Sequence, residues 1–159
     1  MNFDKSLRLV SVIVVLFAIV AVPSRSQEEG SHPAFVKALG DLRLMRAYLD
    51  KLTPTEEIDE NSRNAIGEID LAIHEIKEAG IDDGKNLSDH APISASITPS
   101  DRYHKARSAG NAAWNDLIKE ASNDFGNGAK HKTLEHIGNA NQIVNQILRQ
   151  LTAPPPAQQ

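Results

Sequence analysis

The sequence predicts an all-α protein, a four-helix bundle with a long ordered loop between its second and third helices. Three observations predict it. Four segments of about 18 to 23 residues each carry one apolar face, at steps of three and four. No stretch alternates as a strand would. Two of the three connections between the segments are short enough to join antiparallel neighbours.

The first helix opens at His32-Pro33, with proline at the favoured first position. Phe35, Ala38, Leu39, Leu42, Met45, Leu49 and Leu52 form its stripe, and Thr53-Pro54 closes it. The second runs from Ile58 or Ser62 to Ala79, with Ala65, Ile66, Ile69, Ala72, Ile73 and Ile76 on one face. Gly80 ends it, and Ile81 falls where a Schellman motif places an apolar contact back to Ile76. The third starts at Pro99-Ser100-Asp101 and continues to Ser122, with the face Tyr103, Ala106, Gly110, Ala113, Trp114, Leu117 and Ala121. Its small residues predict close approach by a neighbouring helix. Residues 123–128 make a turn, and the fourth helix, Ala129 to Leu151, buries Ile137, Ala140, Ile143, Val144, Ile147 and Leu148.

Residues 1–26 have the layout of a secretory signal peptide. Lys5 and Arg8 precede an apolar run from Leu9 to Val22, and Pro23-Ser24-Arg25-Ser26 brings small residues to a cleavage point before Gln27. The run is about 14 residues, against the ~20 a membrane span requires; an uncleaved anchor is the alternative. Residues 27–31 read as a linker, 32–152 as the bundle, and 153–159 as an extended Pro-rich tail. The chain has no cysteine, which excludes disulfides, thiolate metal sites and covalent haem attachment. Its net charge is −4. With Lys5, Arg8 and Arg25 set against Asp4 in the leader, the exported part is near −6, which argues against nucleic acid and anionic membranes as partners.

HPAFVKALGDLRLMR, EIDLAIHEIKEAGIDDGKNLSDHAP and RYHKARSAGNA together resemble a family of small exported bacterial all-helical proteins marked by an HP-x-(Tyr/Phe) start, an A-L-x-D-L-R run and an I-D-D-G-K-N-L loop. The resemblance covers most of residues 32–145. It departs at Lys37, where a histidine would be usual, and at Gly138, where an acidic residue would be. It implies the helical fold and export, and supplies no catalytic residue.

The connection IDDGKNLSDHAP concentrates the polar chemistry. As an EF-hand it fails, because Gly84 at the sixth position puts Ala79 first, Ile81 third and His90 twelfth. A phosphate loop fails as well, with one glycine before Lys85. The local reading gives Asp82, Asp83 and Asn86 side-chain turns and gives Gly84 a positive φ; on it, Asn at both aspartates is tolerated. A connection this long is also expected to lie along the bundle, anchored by Ile81, Leu87, Ile93 and Ile97.

Two metal-based readings stand beside the local one. If the helices alternate up and down, His32, Asp82, Asp83, His90, Asp101 and His104 gather at one pole, a set suited to zinc, copper or nickel. A crossover connection would disperse them. Separately, His136 shares a face with Ala140, Ile143 and Ile147 and lies level with Met45, the pairing a b-type haem uses. The simpler reading of His136 is a residue at the core edge bonded to a neighbour such as Arg46. No nucleophile stands with a base, so an enzyme is not expected. The sequence reads as an exported helical bundle serving as a binding or structural module of the cell envelope, with a protein or small-ligand partner and no membrane span in the mature form. A metal- or haem-binding bundle is the alternative.

Overall fold

The computed structural model describes residues 32–50, 57–120 and 127–153. The leader, the linker, the turns near 53 and 123, and the tail from 154 onwards lie outside them, as do Leu52 and Ala121. The described residues form four helices: α1 (Pro33–Leu49), α2 (Glu60–Glu78), α3 (Pro99–Lys119) and α4 (Asn127–Thr152). No strand occurs among the described residues. No helix among them is long and apolar enough to cross a membrane.

Local chemistry sets the boundaries. Asp59 caps α2 by accepting from the Ser62 amide at 3.0 Å, and Thr98 caps α3 by accepting from the Asp101 amide at 3.1 Å, with Pro99 next in the first turn. At the end of α2 the Ile81 amide donates to Ile76 O and the Gly80 amide to Lys77 O, while Gly80 takes φ +76°. That is the expected Schellman pattern, and it seats Ile81 in the core beside Ile76. Two helices stop earlier than the apolar stripes predict. α1 ends at Leu49 because Arg102 captures the carbonyls of Tyr48 (3.0 Å) and Asp50 (2.6 Å). Past the end of α3, Lys130 Nζ donates to Glu120 O at 2.7 Å. Both cations sit at a helix C-terminus, where unpaired carbonyls favour them.

α1 packs against α2 and α3, and α4 against the same two, so α1 faces α4 and α2 faces α3 across the diagonals. Hydrogen bonds between the ends give the directions. His32, before α1, meets Glu120, after α3, at 3.2 Å, whereas Arg102 near the start of α3 reaches the end of α1. These two helices are antiparallel. Tyr103 donates to Asp59 at 3.0 Å, joining the starts of α2 and α3, which therefore run parallel. Glu68 with His136 and Glu75 with Lys132 make α2 and α4 antiparallel. The bundle thus has crossover topology: residues 80–98 carry the chain from one end back to the other.

The core holds Leu39, Leu42, Leu49, Ile69, Ile73, Ile76, Leu117, Ile137, Val144 and Ile147, as the helical faces predict, while Ile66 and Trp114 are half-buried. Gly110 is where the small face of α3 is indispensable. A Cβ there would lie 2.7 Å from Met45 Sδ and would also strike Asn141 Oδ1.

Along the crossover segment Ile81 is buried, Ile93 and Ile97 are half-buried, and Leu87 is 40% exposed. Leu87, Ser88, His90 and Ile93 face Arg46 and Ala47 of α1, and Asp50 just past its end, across a small groove of about 230 Å³. The Asp89 and Ile97 amides donate to Asn86 O and Ser94 O. Hydrogen exchange at these two amides is expected to be slower than in an unfolded peptide. Exchange at the unfolded rate across Leu87 to Ile97 would contradict an ordered crossover.

Candidate functional site

The crossover disperses the metal pole. His32 stays at one end with Glu120, whereas Asp101 and His104 start α3 at the other, where His104 Nδ1 lies 3.3 Å from Arg107. His90 is exposed and its Nδ1 is 2.9 Å from Ala91 O. Asp82 accepts from the Gly84 amide at 3.0 Å and stands 3.1 Å from Lys77 Nζ, the predicted turn role, with Gly84 at φ +69°. Among the described residues no group of three or more His, Asp or Glu side chains is disposed around a common metal position.

Asp83 has a different role from Asp82. Its side chain is 8% exposed and it binds the Arg43 guanidinium, itself 1% exposed and the bulkiest fully buried side chain. Burial alone would push the Asp83 carboxyl up, but the Arg43 hydrogen bond and the Lys85 amide bring it below the usual carboxylate range. The local turn role that underlies the expected tolerance of Asn is present at Asp82, whereas at Asp83 the carboxylate also neutralises buried Arg43, which Asn would not do. Arg43 escaped the sequence reading because an arginine in a helix is usually solvated. The usable signal was its row: Leu39 and Ala47, one turn to either side, are both buried.

The haem pair is not assembled either. Met45 is fully buried on α1 with its sulfur against Gly110 of α3, and α4 lies across the diagonal from α1. His136 turns to α2, its Nδ1 2.8 Å from Glu68 Oε2, with Asn139 donating to the same oxygen at 3.2 Å. The neighbour of His136 is Glu68; Arg46 instead binds Asp70 at 2.8 Å.

A groove of about 480 Å³ runs along the outer side of the α1/α3 pair. Asp41, Leu44 and Tyr48 of α1, spaced by three and four residues, form one wall. Ser108, Ala109 and Ala112 of α3 leave space in its floor, and Asp101, His104 and Lys105 stand along its rim. The trough follows from composition: small α3 residues admit α1 closely, and those just outside the contact are too short to fill the outer seam. At one end Lys37 Nζ donates to Asp116 Oδ1 at 3.0 Å, bridging the helices. Asp41 lies beside this pair. Burial, then the Asp116 charge, raise its carboxyl above the usual range, against the opposing pull of Lys37. Sequence reasoning missed Asp41, although its place one turn before Leu44 and two before Tyr48 marked it as part of that wall.

Comparison of the chain with models of known families, with curated proteins and with solved structures finds no match in any of the three.

Proposed function

We propose that this is an exported, non-enzymatic helical bundle of the cell envelope that binds a small ligand in the α1/α3 groove. The observation that carries the reading is the groove itself. Its volume falls in the range of small-molecule sites, and it combines an apolar wall and floor (Leu44, Tyr48, Ala109, Ala112) with a few polar groups at its ends. The leader-like layout of residues 1–26 supports export to the periplasm or the exterior. Support for a binding role over catalysis comes from the side chains that chemistry would need. His32, Asp59, Asp83 and His136 are each engaged in joining helices or loops. The negative charge disfavours nucleic acid as the ligand.

The reading is tested by amide chemical-shift mapping with a panel of aliphatic amines, carboxylates and aromatic alcohols, on the parent and on Ser108→Trp. Ser108 is exposed, so tryptophan there fills the groove without entering the core. The expected result is shifts clustered at Leu44, Tyr48, Ala109 and Ala112 that disappear in the variant. Shifts confined to the Leu87–Ile93 side, or unaffected by the tryptophan, would contradict the assignment.

A further inference from the structure

We infer that Asp41 and Asp116 share a single proton across the α1/α3 seam, forming a carboxyl–carboxylate pair that makes the groove wall sensitive to pH. The inference stands on the disposition of acceptors. Asp41 Oδ2 and Asp116 Oδ2 are both buried, and neither receives a hydrogen bond from any described residue. Lys37 Nζ is 2.8 Å from Asp116 Oδ2, yet its well-directed bond goes to Oδ1. Two buried carboxyls thus lie close enough to act on each other across the α1/α3 interface, with Lys37 as the cation beside Asp116, an arrangement that costs free energy when both are ionised. One proton resolves it. Lys37 favours charge on Asp116, so the proton resides on Asp41, which donates to Asp116.

The surroundings agree. The charged groups acting on Asp41 are Lys37 on its own helix and Asp116 on α3, with Lys105, His104 and Asp101 of α3 further along the groove. Burial and Asp116 act against ionisation and Lys37 acts for it, and the net direction is upward. The sign for stability follows. A carboxyl whose folded value is raised binds its proton more tightly folded than unfolded. Its contribution is complete below the unfolded value of about 4 and is lost as pH rises through the folded value. Above that point both carboxylates are charged, the packing of α1 on α3 loosens at this end, and the groove wall gains one negative charge. The shared proton does not require the groove to hold a ligand.

Side-chain carboxyl carbon shifts of Asp41 and Asp116, followed by NMR across a pH titration of the whole protein, decide the matter. Asp41 is expected to titrate above the ordinary carboxyl range, with the Asp116 carbon registering the same step because it loses the hydrogen bond from the shared proton. In Asp116→Asn the Asp41 midpoint should fall toward the ordinary value. Titration of Asp41 at or below about 4 in the parent, or no response of Asp116 to the Asp41 step, would overturn the inference. So would an Asp41 midpoint that Asp116→Asn leaves unchanged, since burial alone would then account for it. The two tests in the parent chain decide the question even if the variant fails to fold.

Discussion

Asp83→Ala is expected to cost about 3–5 kcal/mol of stability, whereas Asp82→Asn should stay within about 0.5 kcal/mol of the parent. The two aspartates are neighbours in sequence and differ in what they face. Asp82 makes a local bond to the Gly84 amide that asparagine can also make. Asp83 neutralises Arg43, whose guanidinium is 1% exposed and whose Nε and Nη1 have no hydrogen-bond partner among the described residues. Removing the carboxylate leaves a buried cation uncompensated, and that desolvation cost outweighs the net value of the ion pair itself. Urea denaturation of the three proteins measures it. The coupling can be isolated as well: in an Arg43→Met background the cost of Asp83→Ala should largely vanish, since no charge remains to strand. A loss below about 1 kcal/mol for Asp83→Ala in the parent would mean that Arg43 finds compensation elsewhere. The pH dependence has a definite sign. The Asp83 carboxyl lies below its unfolded value, so its contribution is complete above about pH 4 and disappears as acid carries the pH down through the folded value.

Leu42→Ala and Ile69→Ala are each expected to cost about 2–5 kcal/mol. Both side chains are fully buried, on α1 and α2, within one contiguous core. Truncation takes apolar atoms out of that core and leaves a cavity that packed helices cannot close without moving. For a domain whose stability is about 5–15 kcal/mol, either change takes a large fraction of the whole. Thermal or urea unfolding gives the values. Losses under about half a kcal/mol at both positions would show that the helical faces are misassigned.

The helices were legible because their signals are local. Pro33, Gly80 and Pro99 mark boundaries, and apolar residues at steps of three and four mark the buried faces. Topology was not legible, because residues 80–98 are long enough either to turn back or to cross the bundle. The pairings of Arg102 with the end of α1, of His32 with Glu120 and of Tyr103 with Asp59 separate the two. The candidate site depended on topology. His32 and His104 belong together in one arrangement and stand at opposite ends in the other. Arg43 and Asp83 lie forty positions apart, in the runs ALGDLR and IDDGKNL. Nothing in either run alone says that they meet. The α1/α3 groove was half visible: the small α3 residues predicted a close neighbour, but not that α1 would be that neighbour.

Because the chain has no cysteine, pairs of introduced cysteines can carry spin labels without interference. Glu78, Ser100 and Lys119 are exposed, and the last two stand at opposite ends of the 21-residue α3, about 30 Å apart. With α2 and α3 parallel, the Glu78–Lys119 label pair should be closer than the Glu78–Ser100 pair by roughly 15 Å or more. A shorter Glu78–Ser100 distance would establish an up-and-down bundle. That result would return His32, Asp82, Asp83, His90 and His104 to one pole and contradict the crossover on which the rest of the account depends.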